Sequence, residues 1–318
     1  MLRYSAMGVV IGLLAATGLQ ASTDPVKEIA TGWGYTCALV SSGAVYCWGT
    51  AWVNGSDTNS ASPVLVNGLS KVKAIGAGLG NTCAIDLTGQ TWCWGTDWKE
   101  TIERKGLVKT RIPKLMEGLP SASQIAVGWS HICVISEVDG SVWCWGSNGV
   151  GELGNGTTDE EEKPVRVKNL VGATSIGAGV SNTCAVVAHD EVCCWGRDRQ
   201  RGPGAIVNSS APVKVKGVKN VTKVVNGRNF FCSLTSDGKV ICFGSNIFLQ
   251  LGTKRVGQRY SPPVRSSVGA ATDIVANVFW CLRCPNKQES VMLGRHDVNR
   301  RPTSQGKGHA TYRSRSAR

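Results

Sequence analysis

One unit of roughly fifty residues recurs along the chain, and this constrains the fold more than any other feature. Read from Gly32 the sequence is GWGYTCALVSSGAVYCWG; from Gly78 it is GLGNTCAIDLTGQTWCWG, and from Gly128 GWSHICVISEVDGSVWCWG. GVSNTCAVVAHDEVCCWG follows from Gly179 and GRNFFCSLTSDGKVICFG from Gly227, then a decayed copy, ANVFWCLRCPNKQESVMLG, from Ala276. The first cysteines stand at 37, 83, 133, 184, 232 and 281, so the spacings are 46, 50, 51, 48 and 49. A second signature keeps the same period: Pro63-Val64, Pro113, Pro164-Val165, Pro212-Val213 and Pro263-Val264. Short runs bounded by Gly and Pro dominate beyond residue 21, and no helical apolar period interrupts them. About four short strands per unit is the pattern of a β-propeller blade, and one blade cannot bury both of its faces without neighbours. The fold class expected is all-β, a propeller of about six repeats spanning residues 22–297, the sixth degenerate.

Within the unit, Gly32, Gly78, Gly128, Gly179 and Gly227 mark a tight bend or a close backbone approach. The aromatic residues before the second glycine, Trp48, Trp94, Trp145, Trp195 and Phe243, are expected to pack between blades. Cys37 and Cys47 are ten apart, as are Cys83/Cys93, Cys184/Cys194 and Cys232/Cys242, while Cys133 and Cys144 are eleven apart. Folding the first pair into an antiparallel hairpin leaves Ser41-Ser42-Gly43 as a three-residue loop whose last residue favours the left-handed region. Opposed strand residues lie within disulfide range, so five intra-blade bridges are expected. Zinc is the competing use of paired cysteines, but each hairpin supplies only two thiols with no second pair nearby. Cys193, Cys281 and Cys284 are left over.

The third unit in particular, with Gly128, His131, Cys133, Cys144-Trp145-Gly146, Asn148, Gly151, Leu153-Gly154 and Pro164-Val165, resembles the regulator of chromosome condensation repeat. The resemblance covers residues 26 to 297, and its cysteine-bearing hairpins are similar to those of secreted bacterial members. It implies a propeller, usually of seven blades, that works by binding proteins. Some exported relatives inhibit β-lactamases, and nuclear members act as guanine-nucleotide exchange factors or chromatin binders.

The amino terminus bears on that choice. Arg3, the apolar run from Gly8 to Leu19 and the Ala21-Ser22 junction read as a secretory signal peptide over residues 1–21. The run falls short of the ~20 residues of a transmembrane helix, and no other apolar stretch approaches that length, so the mature chain is expected to carry no integral membrane segment. Thirteen cysteines suit an oxidising compartment, secreted or periplasmic. The chain carries 35 basic against 22 acidic residues, a net charge of +13. Residues 298–318 hold six basic side chains and no acidic one, a tail expected to be disordered and able to meet an acidic polymer or surface. No catalytic, cofactor-binding or metal-ligating set is expected: His131 stands where Tyr35, Asn81, Asn182 and Phe230 stand in other copies, and no nucleophile or phosphate-loop motif is present. The function expected is an exported protein-binding or scaffold module, with inhibition of a secreted enzyme as a narrower form. The nuclear exchange-factor or chromatin-binding role is the alternative.

Overall fold

The computed structural model describes residues 24–96, 109–197, 208–253, 261–266, 270–276, 281–286 and 289–293, the last two as backbone. Residues 1–21, where a signal peptide is expected, and residues 298–318, where a basic tail is expected, lie outside the described residues. Each repeat forms one antiparallel sheet with its strands in chain order. The first contains β1 (Val26–Thr31), β2 (Tyr35–Val40), β3 (Val45–Gly49) and β4 (Ser60–Leu65). The second contains β5 (Val72–Ala77), β6 (Asn81–Asp86), β7 (Thr91–Thr96) and β8 (Lys109–Leu115), and the third β9 (Ala122–Val127), β10 (His131–Ser136), β11 (Val142–Gly146) and β12 (Glu161–Arg166). The fourth runs through β13 (Ser175–Ala178), β14 (Asn182–Val187), β15 (Glu191–Gly196) and β16 (Ser209–Lys214). The fifth has β17 (Val221–Asn226), β18 (Phe230–Thr235), β19 (Val240–Gly244) and β20 (Ser261–Arg265), and the sixth, among the described residues, β21 (Asp273–Ala276), β22 (Cys281–Asn286) and β23 (Glu289–Leu293). Five sheets of four strands and one of three make an all-β propeller.

Alternation along each strand sends one set of side chains to the preceding blade and the other to the following blade, so the apolar core lies between blades. Five apolar clusters occupy five junctions. The first is typical: Tyr35, Cys37, Leu39, Val45 and Cys47 of blade one meet Ile75, Ala84 and Trp94 of blade two. Cys37 pairs with Cys47 across β2 and β3, and the pair is a disulfide with Cα atoms 4.1 Å apart. Cys83–Cys93, Cys133–Cys144, Cys184–Cys194 and Cys232–Cys242 repeat the bond at the same register. The hairpin loop between them ends on Gly43 at φ +89°, a place Asp190 takes in the fourth unit at φ +55°. Cys193 pairs with Ala185, one residue away from the bonded pair and so on the opposite face of its strand, where it remains a free, half-buried thiol.

The sixth unit corrects the sequence alignment by one residue. Ala276 pairs with Cys281 and Leu282 with Met292, whereas in the first unit Thr31 pairs with Thr36 and Cys37 with Cys47. Leu282 and Met292 thus hold the disulfide positions, and the recurrent-glycine place falls on Asn277, outside the described residues. The apolar residue three before the glycine explains the shift. Ile274 is fully buried and matches Ile75, Ile176 and Val224, whereas aligning the unit on Cys281 would put Asp273 at that position.

The first blade differs on the face it turns away from blade two. Ile29 occupies the same repeat position as Ile75, Ile176, Val224 and Ile274, which are 4%, 7%, 1% and 0% exposed, yet Ile29 is 45% exposed. Trp48 is likewise only half-buried, while Trp94, Trp145, Trp195 and Phe243 are buried. In the sixth blade Val275, on the opposite-pointing set, is 40% exposed. Among the described residues, the seam between blades six and one therefore shows less packing than the other five junctions. Because a substitution costs what its own junction buries, Ile75→Ala should lower stability by about 2–4 kcal/mol. Ile29→Ala should cost less than about 1 kcal/mol, the range of surface changes. Denaturant melts of the two variants check this; equal losses would mean that the seam is packed after all.

Candidate functional site

The inner strands β1, β5, β9, β13, β17 and β21 converge at one end of the axis, and the recurrent glycines govern how closely they approach. A Cβ built on Gly32 would lie 2.5 Å from the carbonyl oxygen of Gly78, and one on Gly78 would lie 2.3 Å from that of Gly128. Gly128 meets Gly179 at 2.6 Å and Gly179 meets Gly227 at 2.4 Å in the same way. Real Cβ atoms do not tolerate such distances, so any side chain here would push adjacent blades apart. Two further bonds tie the ring: the Trp33 N–H donates to Gly78 O at 3.1 Å and the Trp129 N–H to Gly179 O at 2.9 Å.

Above these glycines lies a cavity of about 280 Å³, lined by residues from all six units, with Thr31, Ala77, Val127, Ala178, Asn226 and Ala276 closing it. Its rim is formed by the residue after each glycine: Trp33, Leu79, Trp129 and Val180. The Trp33 and Trp129 rings stand edge to face with centroids 5.5 Å apart, and Trp33 is 54% exposed. Gly32, Gly78, Gly128, Gly179 and Gly227 stand out in the sequence as a recurrent position, whereas this rim does not. The available signal was the variation at the next position, which only an axial geometry turns into one surface.

The other repeat residues hold blades together. Trp94 Nε1 donates to Val53 O at 3.0 Å and Trp195 Nε1 to Glu152 O at 2.8 Å, each reaching into the preceding blade's loop. Glu152 is buried and its carboxyl is pushed up by desolvation, but it serves a turn, accepting the Val150 N–H at 2.9 Å. Gln250 does the same for Phe248 in unit five, so the position needs an acceptor oxygen and not an acid. Tyr35, whose phenol is raised by burial, donates to Asn81 O at 2.7 Å. Among the described residues no three His, Cys, Asp or Glu side chains gather at metal-binding distances, and no helix is long and apolar enough to cross a membrane.

His131 takes Tyr35's place in unit three. The Thr183 hydroxyl donates to Glu152 O at 2.9 Å, so it must accept from His131 Nε2, 2.8 Å away, which leaves Nδ1 as the bare nitrogen. Nδ1 is buried without a partner, and burial lowers the imidazole to about 4. The unfolded chain binds a proton near pH 6.5 that the folded chain refuses, so this contribution is complete above pH 6.5 and is lost as pH falls toward 4. Its size is on the order of 3 kcal/mol. Asn81 and Asn182 fill the same position, so His131→Asn should fold and should flatten the pH dependence of the melting temperature between pH 6.5 and 4. A variant that keeps the wild-type slope would place the titration elsewhere.

Comparisons with known proteins agree with this architecture. Models described as the regulator of chromosome condensation (RCC1) repeat match residues 139–186 and residues 26–51, 122–152 and 221–250. The mouse E3 ubiquitin-protein ligase HERC2 is 32% identical over 197 residues, covering 58% of this chain and 4% of the ligase. The ultraviolet-B receptor UVR8 of Arabidopsis thaliana is 32% identical over 103 residues, 30% of this chain and 23% of the receptor. This chain thus spans only a small part of these curated relatives. Prp20p of Saccharomyces cerevisiae, described for its binding to Gsp1p and histones, superposes with a TM-score of 0.73 at 18% identity over 89% of this chain and 73% of its own. The CRINKLY ectodomain of the Arabidopsis thaliana receptor kinase ACR4 gives 0.54 at 17% identity, covering 88% and 85%. The repeat models fall on units one, three, four and five of a propeller whose blades share one register, so the chain carries regulator of chromosome condensation repeats.

Proposed function

We propose that this chain is an exported protein-binding module whose axial mouth is its contact surface. The observation that carries the reading is that mouth: exposed indole surface, on backbone locked by inter-blade hydrogen bonds, over a cavity to which every unit contributes. Aromatic side chains on a rigid scaffold give contact area at little entropic cost. The five disulfides support work outside a reducing cytosol, where such bonds persist. On this reading residues 1–21 are a cleaved signal peptide, the mature chain starts near Ser22, and residues 298–318 form a basic tail that adds attraction to acidic partners or surfaces. Inhibition of a secreted or periplasmic enzyme is the narrower form of the same activity. Prp20p shares the fold, but cystines at five junctions are at odds with a nuclear exchange-factor or chromatin role.

Fractionation followed by intact-mass and non-reducing peptide mapping tests the reading. The extracytoplasmic fraction should hold a chain beginning near Ser22, with the five hairpin disulfides formed and Cys193 open to alkylation. A full-length, fully reduced chain in the cytosol would overturn export and return the nuclear reading to the front.

A further inference from the structure

Four units set apolar residues on the axial rim, and the fifth breaks the pattern. Arg228 follows the lining residues Asn226 and Gly227 at the position of Trp33, Leu79, Trp129 and Val180, and it is exposed. None of the residues lining the cavity is acidic. The lining of the mouth therefore combines two indoles and two aliphatic side chains, with the exposed cation of Arg228 one residue beyond the lining Gly227, on a chain whose net charge is +13.

Size and charge together narrow the occupant. At about 280 Å³ the cavity is smaller than most small-molecule sites. Those run from roughly 300 to 1,000 Å³, so this one suits a side chain or two rather than a whole cofactor. Two indoles could also attract a cation through their ring faces, with a gain of about 0.5–2 kcal/mol. Here Arg228 and the positive chain oppose a second cation, and no lining carboxylate offsets them. An apolar group with an anion beside it satisfies both halves of the rim, because an arginine–carboxylate pair adds charge-assisted hydrogen bonds where the apolar rim excludes water.

Building on the protein-binding reading above, we propose that the axial mouth recognises an acidic peptide segment of a partner protein. An aromatic or aliphatic side chain of that segment seats against Trp33 and Trp129 over the glycine ring. A neighbouring Asp or Glu of the segment pairs with Arg228. Both recognition groups stand on turns tied to adjacent blades, so the spacing between apolar and acidic contacts is set before binding.

Short blocked peptides test this with the full, oxidised chain: one with Phe flanked by Asp and Glu, one with the flanks changed to Lys, and one with Phe changed to Ser. Binding is read by indole fluorescence and calorimetry. The acidic Phe peptide should bind at least about tenfold more tightly than either control, a difference of about 1.4 kcal/mol. Its affinity should fall with added salt. Trp33→Ala should abolish that advantage over the Ser peptide, and Arg228→Glu should reverse the preference toward the Lys-flanked peptide. Both substitutions are at exposed residues, and unchanged melting temperatures verify that the variants fold. Equal or tighter binding of the Lys-flanked peptide would overturn the proposal. So would a partner protein that binds the wild type and both variants alike, although that result would leave the protein-binding reading standing. Failure of export shows separately, as a reduced cytosolic chain.

Discussion

Consecutive blades can share a core only because their inner strands come within backbone contact at the axis. Each recurrent glycine faces the next glycine's carbonyl at a distance that excludes a Cβ, 2.3 to 2.6 Å in four successive junctions. A methyl group at any of them would open that junction from the axis outward, first at the Tyr35 or His131 hydrogen bonds and then at the apolar cluster. This contact stabilises little by itself. It allows the clusters between blades to reach core density, and those clusters supply most of the favourable burial.

The disulfides take their meaning from that packing. Nine of the ten bonded cysteines are buried and the tenth, Cys93, is partly buried, and Cys37 and Cys47 sit among the side chains that meet blade two. Each bond closes a short hairpin whose strands are already neighbours, so its entropic restraint on the unfolded chain is at the small end of the usual range. Its structural effect is to fix register. A slip of one residue would turn Leu39 and Val45 out of the inter-blade core and bring Tyr46 and Trp48 in. In the sixth unit, where Leu282 and Met292 replace the pair, register is carried by the burial of Ile274 instead.

Much of this was legible in the sequence because the repeat reports its own constraints. Gly-x-x-x-x-Cys, the hairpin loop ending in glycine and the Trp-Gly pair each recur for a local steric reason, so unit boundaries, strand order and cysteine register could be read from residue types and spacing. Two features could not. The sixth unit was aligned on Cys281, the most distinctive residue near the right place, although with the disulfide gone nothing physical ties a cysteine to that position. The axial mouth was invisible because its members lie 46 to 51 residues apart and keep no single residue type. They have in common only the peptide bond to a glycine at the axis.

That separation explains how one scaffold can hold a specific site. At the glycine, packing against the next blade leaves a single acceptable residue. One position later the side chain turns to the open mouth, where no neighbouring blade restricts its size or charge. Within this one chain that position holds Trp, Leu, Trp, Val and Arg, while the residue before it stays glycine in five units. Folding and recognition thus fall on adjacent residues with little energetic coupling between them. A change at Trp33 or Arg228 alters what the mouth can hold without disturbing Gly78 or the Tyr35 hydrogen bond beneath. The ring of inner strands, demanding in its own sterics, leaves its rim free to vary in chemistry.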